Sequence, residues 1–339
     1  MLVGGQKLFR QLKDLRVWRF FILVVFFLMA VGGILFSLSK GAMEISLGQI
    51  WQSFTEESQE PWAHVMRNIR LPRTLVGALV GINLSLAGTI LQCVMRNPLA
   101  DPGIIGISSG AGLAGIIILI VFPHNTHLLV PVAFLGAMGA ACLIYILAWK
   151  GGDIQPMRVI LAGVAVSAFL GSFISALMIF YSDRVHGALM WMAGGLSARS
   201  WPHFKVILPY TLLGVLIAFY GAQKLNILRL GDEIARGLGL KVEAVRIGLT
   251  AVAALLAASA VSVVGLLGFV GLIVPHAARL LIGGDHKFLL PAAALLGTGV
   301  VTISDTVARL AFAPVELPVG IIMAFLGAPF FLYLLRRES

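Results

Sequence analysis

The sequence contains little charge. Only 12% of its 339 residues are Asp, Glu, Lys or Arg and 59% are hydrophobic, whereas a soluble domain carries roughly 25% charged residues. The mean hydropathy is +0.97. This composition excludes a large soluble domain and indicates an integral membrane protein. Because the apolar runs are continuous and do not alternate with polar residues, membrane-spanning β-strands are excluded as well.

Motifs of enzyme catalysis are also missing. The chain has no GxxxxGK[ST] phosphate-binding loop, and none of its lysines precedes Ser or Thr, so we do not expect it to hydrolyse ATP by that route. It has no HExxH motif and no paired-carboxylate constellation. Its two cysteines, Cys93 and Cys142, lie inside apolar runs without disulfide or metal-ligand spacing. We therefore predict no catalytic residue, no metal site and no cofactor bound by this chain.

Long apolar runs dominate what is present. Eight stretches contain no charged residue, and a spanning helix needs about 20 mostly apolar residues. The stretch 102–149 is interrupted by FPHNTH (122–127), which predicts a turn between two spans. The stretch 247–278 predicts one full helix and a second, short helix that is broken by Gly and Pro. The sequence thus predicts an all-α protein with ten transmembrane helices.

The basic residues predict its orientation. Five Lys or Arg residues in segment 1–19 place the N-terminus in the cytoplasm, and ten crossings return the tail 336–339 to the same side. Residues 20–335 then form a single transmembrane domain. This topology puts 17 basic residues inside and 8 outside, so the positive charge is explained without a nucleic-acid partner. A cleaved signal peptide over residues 1–36 is the alternative, and it would leave nine spans with the same sidedness.

Three arginines are exceptions to the rule that basic residues lie on the cytoplasmic side. In RNIRLPRTLVGALVG (67–81), Arg67, Arg70 and Arg73 precede the second span on its predicted outer side. They could anchor the helix by reaching lipid headgroups, or they could serve a function of their own. Small residues at a spacing of four, such as Gly77 and Gly81, predict close helix packing.

Two predicted cytoplasmic segments stand out. The loop 224–246 contains GDEIARGLG, which predicts a short helix with acidic residues at its start and glycines at its end. Such a helix could dock into a groove of another protein, or it could be a solvated connector. The segment MRNPLADPGIIGISSGAG (95–112) is rich in Pro and Gly, and non-helical backbone at a membrane face needs shelter from protein or an aqueous cavity.

The predicted spans contain almost no ionisable side chain. Asp305, Arg309 and Glu316 lie near the outer face and His276 near the inner one. An ion-coupled carrier usually places acidic or polar groups near the membrane midplane. The sequence therefore disfavours an ion-coupled secondary carrier, which stays the alternative together with a membrane sensor.

Seven motifs carry a resemblance to a known family. In chain order they are IRLPRTLVGALVG, RNPLADPGIIGISSGAG, GDEIARGLGL, GFVGLIVPHAARLL, DHKFLLP, SDTVARL and ELPVGIIMAFLGAPFFLYLL. The chain resembles the FecCD permease family, the membrane subunits of bacterial ABC importers for iron siderophores, haem and vitamin B12. The resemblance covers about four fifths of the chain, from about residue 65 to the C-terminus.

The resemblance implies a type II ABC importer permease with both termini in the cytoplasm of a bacterium, as a multi-pass protein of the cytoplasmic (inner) membrane. Its expected partners are two ABC ATPase subunits, a second permease copy or paralogue, an extracytoplasmic substrate-binding protein, membrane lipid and a metal-chelate substrate. ATP and Mg²⁺ are expected in the partner ATPase. A ferric siderophore ranks first as the cargo because it is the commonest in the family, with haem and cobalamin behind.

The resemblance also implies roles for particular residues. Docking of the binding protein falls to Arg70, Arg73 and Arg309, and Arg67 lies outside the matched motif. The cytoplasmic gate falls to Asn97, Pro98 and Leu99. The ATPase-coupling helix covers residues 231–240, with Gly231, Asp232, Glu233, Arg236 and Gly239 as its site residues.

Two further segments bear on the substrate pathway. VHGALMWMAGGL (185–196) resembles a short external helix of the family, and Met190, Trp191 and Met192 either line the pathway mouth or serve packing. Family members that import vitamin B12 have small hydroxyl residues ahead of the fifth span, whereas this chain has Gln155, Pro156 and Met157. The chain therefore departs from the vitamin B12 pattern at the second gate, which disfavours a cobalamin substrate.

Overall fold

A computed structural model describes residues 16–55, 60–150 and 153–338. The first 15 residues of the predicted cytoplasmic segment 1–19 and the last residue of the predicted tail lie outside this part of the chain. The helices, in chain order, are α1 (Arg16–Ser39), α2 (Leu47–Thr55), α3 (Pro61–Val65), α4 (Leu71–Val94), α5 (Ile107–Ile116), α6 (Leu129–Ala148), α7 (Pro156–Phe180), α8 (Val185–Met192), α9 (Trp201–Tyr220), α10 (Ala222–Leu228), α11 (Asp232–Gly237), α12 (Val242–Val264), α13 (Val270–Ile282), α14 (His286–Leu310) and α15 (Val319–Glu338).

Short non-α segments connect some of these helices. One π-helical turn, Met66–Arg70, joins α3 to α4, and a second, Ile117–Val121, extends α5. Three 3₁₀ segments cover Pro102–Ile105, Pro123–Leu128 and Ser182–Arg184. Two strands of two residues each, β1 (Trp149–Lys150) and β2 (Asp153–Ile154), pair antiparallel between α6 and α7.

The prediction of a helical protein with several membrane-length helices is confirmed. By length and composition, seven helices in the described ranges could cross a membrane: Arg16–Ser39, Pro61–Val94, Pro123–Ala148, Pro156–Phe180, Trp201–Tyr220, Val242–Val264 and His286–Leu310. Three shorter apolar helices cover Ile107–Val121, Val270–Ile282 and Val319–Leu332. Ten crossings and their orientation stay a prediction.

The breaks in the long apolar stretches lie where Pro and Gly predicted them. Stretch 102–149 turns at Pro123–Leu128, because Pro cannot donate a backbone hydrogen bond to the preceding turn. Stretch 247–278 contains most of α12 and, after five non-helical residues, the start of α13. The short second helix is therefore a real element with its own ends.

Helices α4 and α12 form the centre of the bundle, and most of their residues are buried. Helix α4 packs closely against α13 and α14 at glycines. A Cβ on Gly81 would lie 2.3 Å from the carbonyl oxygen of Gly297, and one on Gly88 would lie 1.9 Å from that of Gly271. The predicted packing role of Gly81 is thus confirmed, since only glycine lets these backbones approach so closely.

Polar side chains link the central helices. The Asn83 amide of α4 donates to Ser259 Oγ of α12 at 3.0 Å. Arg279 of α13 donates to Gln92 Oε1 of α4 at 2.9 Å. In contrast, most side chains of α7 and α9 point outward, as expected for helices that face lipid or another subunit. The hydrogen bonds of Asn83 and Gln92 therefore fix α4 against α12 and α13 at the centre of the bundle.

Candidate functional site

Two arginines hold the C-terminal end of α1 at the predicted outer end of the bundle. Arg70 donates to the carbonyl oxygens of Leu38 at 2.8 Å and Ser39 at 3.0 Å, and also to that of Met43. Arg309 donates to the carbonyl oxygen and the hydroxyl of Ser37, both at 3.1 Å. The last carbonyls of a helix lack intrahelical donors and carry partial negative charge. These two guanidinium groups therefore act as a cationic cap on α1.

A buried ion pair lies beside this cap. Arg73 of α4 forks over Asp305 of α14, with Nε to Oδ2 at 3.0 Å and Nη2 to Oδ1 at 2.9 Å. Its third nitrogen donates to Glu316 at 2.9 Å. Arg309 Nε lies 3.4 Å from Asp305 Oδ2. Asp305 thus binds Arg73 in a bidentate geometry that favours strong, charge-assisted bonds, and its charge also faces Arg309.

Glu316 is the accessible member of this group, with 43% of its side chain exposed. It also accepts a hydrogen bond from Ser197 at 2.8 Å. Burial alone would raise the pKa of Glu316, but Arg73, Ser197 and Arg309 together hold that pKa below its usual value. The Glu316 carboxylate is therefore charged at neutral pH and stays on Arg73.

Arg199, in the loop between α8 and α9, was missed by the reasoning from sequence. Its Nε is buried and has no hydrogen-bond partner among the described residues. Burial and the neighbouring charge of Arg73 lower the pKa of Arg199 to about 10. Arg67, by contrast, donates to the carbonyl oxygen of Ser53 at 2.8 Å. We refer to Arg67, Arg70, Arg73, Arg199 and Arg309 as the outer arginine cluster.

The structure therefore brings the three predicted docking arginines together, but in an unexpected state. Arg70, Arg73 and Arg309 are only 4%, 7% and 8% exposed, and each has partners within the chain. Their spacing in sequence gave no sign of these partners, since Arg73 and Asp305 are 232 positions apart. Contact with a binding protein stays a prediction for these residues.

At the opposite end, an ion network surrounds the predicted coupling helix α11. Asp232 accepts hydrogen bonds from Arg246 of α12, at 2.9 and 3.0 Å, and pairs with Arg96 in the loop after α4. Glu243 pairs with Arg246 at 3.4 Å and with Arg236 at 3.1 Å. We call these five residues the cytoplasmic ion network. Two of the predicted coupling residues, Asp232 and Arg236, are thus engaged within the chain.

Exposed apolar side chains lie on and beside α11. Ile234 and Leu238, the C-cap residue, are 55% and 60% exposed, and their spacing of four puts them on one side of the turn. Leu230, just before Gly231, is 54% exposed. Ala235 is buried on the other side. The flanking Gly231 and Gly239 have φ of +111° and +81°, a region that favours glycine and that ends the helix at both sides. Sequence reasoning chose the polar residues and overlooked this stripe, although its spacing was readable.

The predicted gate lies next to this network. In the loop after α4, Asn97 Oδ1 accepts from the backbone N–H of Leu99 at 2.9 Å, which forms a compact Asx turn. Asn97, Pro98 and Leu99 are each half-buried. Arg96, the preceding residue, has φ of +47°, which is uncommon for a residue other than glycine.

The predicted pathway residues fall into different environments. Met190 is 51% exposed, whereas Trp191 is 6% exposed and its ring lies against Gly115, where an added Cβ would be 2.5 Å from it. Met192 is half-buried. Within this chain, Trp191 therefore serves packing, which was the alternative to lining the pathway mouth. Gln155 and Met157, at the doubtful second gate, are exposed at the start of α7.

Comparison with known proteins identifies the family of this chain. The sequence matches the FecCD transport family over residues 26–337. The chain belongs to the FecCD transport family. It is therefore a multi-pass membrane protein of the kind that forms the transport subunit, and not the catalytic one, of ABC importers.

Relatives within the FecCD family match most of the chain. The hemin transport system permease HmuU of Yersinia pestis is 38% identical over 330 residues, which cover 94% of this chain and 95% of the relative. The cobalamin import permease BtuC of Halobacterium salinarum is 43% identical over 276 residues, or 81% and 74% of the two chains. A solved structure described as a metal-chelate type ABC transporter, in an inward-facing conformation, has a TM-score of 0.83 and 29% identity, and covers 93% of this chain and 99% of the other.

Proposed function

We propose that this chain is the permease subunit of an ABC importer that moves an iron(III)-siderophore, or a related chelate such as haem or cobalamin, into the cytoplasm. The full-length family match over residues 26–337 carries this proposal. Relatives of the chain are named for iron-hydroxamate, haem and cobalamin import. A siderophore ranks first as cargo because it is the commonest in the family.

The finer architecture is part of the same proposal. Ten crossings would place both termini in the cytoplasm of the bacterial inner membrane, in the type II arrangement. Two such permeases, as copies or paralogues, would enclose the pathway above two ATPases that bind ATP and Mg²⁺. ATP binding would close the ATPases, move α11 and tilt the permeases between inward-open and outward-open states.

Reconstitution tests this function directly. The chain would be co-expressed with a candidate ATPase and placed in proteoliposomes with a binding protein and a labelled ferric hydroxamate, haemin or cobalamin. Uptake is expected only with ATP and the binding protein present. Uptake by the chain alone down an ion gradient would instead establish a secondary carrier.

We also propose that the outer arginine cluster receives acidic groups of the extracytoplasmic binding protein. Arg70, Arg73 and Arg309 are already bonded within the chain, so their main contribution would be a positive field and a rigid surface. Among the described residues no hydrogen bond engages the Nε of Arg199, so its charge adds to this field, and Glu316 occupies a position on Arg73 that a partner carboxylate could take. Charge complementarity of this kind steers association and depends on salt.

Arg199→Gln is expected to weaken docking of the binding protein by about fivefold at low salt, because it removes one positive charge without removing an intramolecular bond. The difference should shrink at high ionic strength, since salt screens the attraction. Surface plasmon resonance on the purified complex measures it. Arg184→Gln is the control for the loss of one charge in another predicted outer loop. Because it also removes a hydrogen bond to the carbonyl oxygen of Ile120 at 3.1 Å, thermal unfolding of both variants is compared first. Equal effects of both changes would argue against a specific docking role for Arg199.

We propose that Asn97, Pro98 and Leu99 form the cytoplasmic gate. Asn97→Gly removes the acceptor that closes the turn on Leu99, so the loop should sample more conformations. We expect proteoliposomes with this variant to lose preloaded labelled substrate without ATP at least about fivefold faster than wild type. This factor corresponds to a coupling free energy of about 1 kcal/mol. A leak rate equal to that of wild type would remove the gate assignment.

A further inference from the structure

The cytoplasmic ion network connects three elements that are far apart in sequence. Arg96 lies in the loop after α4, Asp232 begins α11, and Arg246 lies in the first turns of α12. The Asp232 carboxylate contacts both arginines. Asp232 therefore connects the predicted coupling helix α11 both to the predicted gate loop, residues 95–101, and to the central helix α12.

Arg246 fixes Asp232 to the core. Its side chain is only 3% exposed, and a buried guanidinium requires anionic partners because its desolvation is costly. Asp232 and Glu243 provide them. A helix of six residues such as α11 does not hold its position by itself. This pair therefore makes α11 and the start of α12 move as one unit.

Arg96 forms the other branch of the connection. It follows directly on the rigid, buried α4 and precedes the gate residue Asn97, and its positive φ fixes the direction in which the loop leaves the helix. Its side chain is 41% exposed and that of Asp232 is 27% exposed. A partly exposed pair contributes little to stability, so its main consequence is the relative position of α11 and the gate loop.

We propose that the Arg96–Asp232 pair is a positioning device that transmits displacement of α11 to the gate loop 95–101. This inference rests on the proposed function, because it assumes that an ATPase moves α11. It gives Asp232 a role inside the permease and leaves the contact with the ATPase to the apolar face of α11. In the absence of the pair, the ATPase would bind and hydrolyse ATP while the gate no longer followed.

A labelling experiment on the assembled complex tests this device without knowledge of the substrate. Leu99→Cys, in a background with Cys93→Ala and Cys142→Ala, provides one thiol at the gate loop. Its rate of reaction with a polar maleimide is measured with and without ATP. We expect ATP to change the rate by at least about fivefold, as for an ordinary allosteric coupling, and to change it by less than about twofold in Arg96→Ala and Asp232→Asn.

The controls separate positioning from folding and from assembly. Arg96→Lys retains the charge and should restore the ATP dependence, whereas Lys241→Ala, which removes a charge from the same surface, should leave it intact. In Arg96→Ala/Asp232→Asn the loss should be no greater than in either single variant. ATP-dependent labelling that persists in Arg96→Ala would overturn the inference. Failure of any ATPase to co-purify with the wild-type chain would show earlier, and would overturn the proposed function and this inference with it.

Discussion

Asp305→Ala is expected to destabilise the protein by about 3–5 kcal/mol, the cost of breaking a buried ion pair from one side. The change leaves Arg73 and Arg309 with buried positive charge and without the carboxylate that both contact. Asp305→Asn keeps the shape but not the charge and should show most of the same loss. Thermal unfolding of the purified chain in detergent measures the effect.

Glu316→Ala is the control for this prediction. Glu316 pairs with the same arginine but is 43% exposed, so its removal should cost less than about 1 kcal/mol. The contrast between the two acids isolates burial as the cause. If Asp305→Ala unfolds at the wild-type temperature, the pair does not stabilise the outer end, and the description of α1 as capped by a charged cluster must be revised.

Ile234→Asp and Leu238→Asp are expected to abolish recovery of the ATPase with the permease. Ile234 of α11 and Leu238, directly after it, are both exposed. Truncation of a central interface residue typically costs at least about 2 kcal/mol, or about 30-fold in affinity. A buried, unpaired carboxylate at such an interface adds to that cost. Affinity purification of the co-expressed complex, with the ATPase quantified by immunoblot, gives the measurement.

Val315→Asp is the matched control, because Val315 is 64% exposed at the opposite end of the bundle. It should leave ATPase recovery at the wild-type level. Glu233→Gln and Arg236→Gln then separate the two views of the coupling helix. If these polar changes remove the ATPase while Ile234→Asp does not, the polar contacts predicted from sequence are correct and the apolar stripe is not the docking face.

The helical elements could be predicted well from sequence because their causes are local. Runs of apolar residues, the Pro of FPHNTH and the glycines around GDEIARGLG act within a few positions, and the structure has helix ends at those places. A short helix was expected within residues 231–240 and is observed at Asp232–Gly237, whereas its coupling role stays a prediction. Orientation rests on the same local charges and stays a prediction.

The candidate site residues could be chosen from sequence, but their partners within the chain could not. Arg70 was conspicuous as an outer arginine, yet its actual acceptors are carbonyl oxygens about thirty positions earlier in the chain. Asp232 was expected to contact the ATPase, yet its carboxylate is bound by Arg96 and Arg246. An exposed charge and a paired one look identical in sequence, because only packing decides what lies within hydrogen-bond distance.

By itself, the sequence determined that this protein is a helical membrane protein of the FecCD type, since low charge, apolar runs and motif order are properties of the chain alone. Only the tertiary structure decided which charges are available to partners. It buried Arg73 on Asp305, left the Nε of Arg199 without a partner among the described residues, and paired Asp232 of α11 with Arg96, beside the predicted gate. The reason is that ion pairs form between helix ends brought together by packing, and their strength depends on burial, which no local pattern of residues specifies.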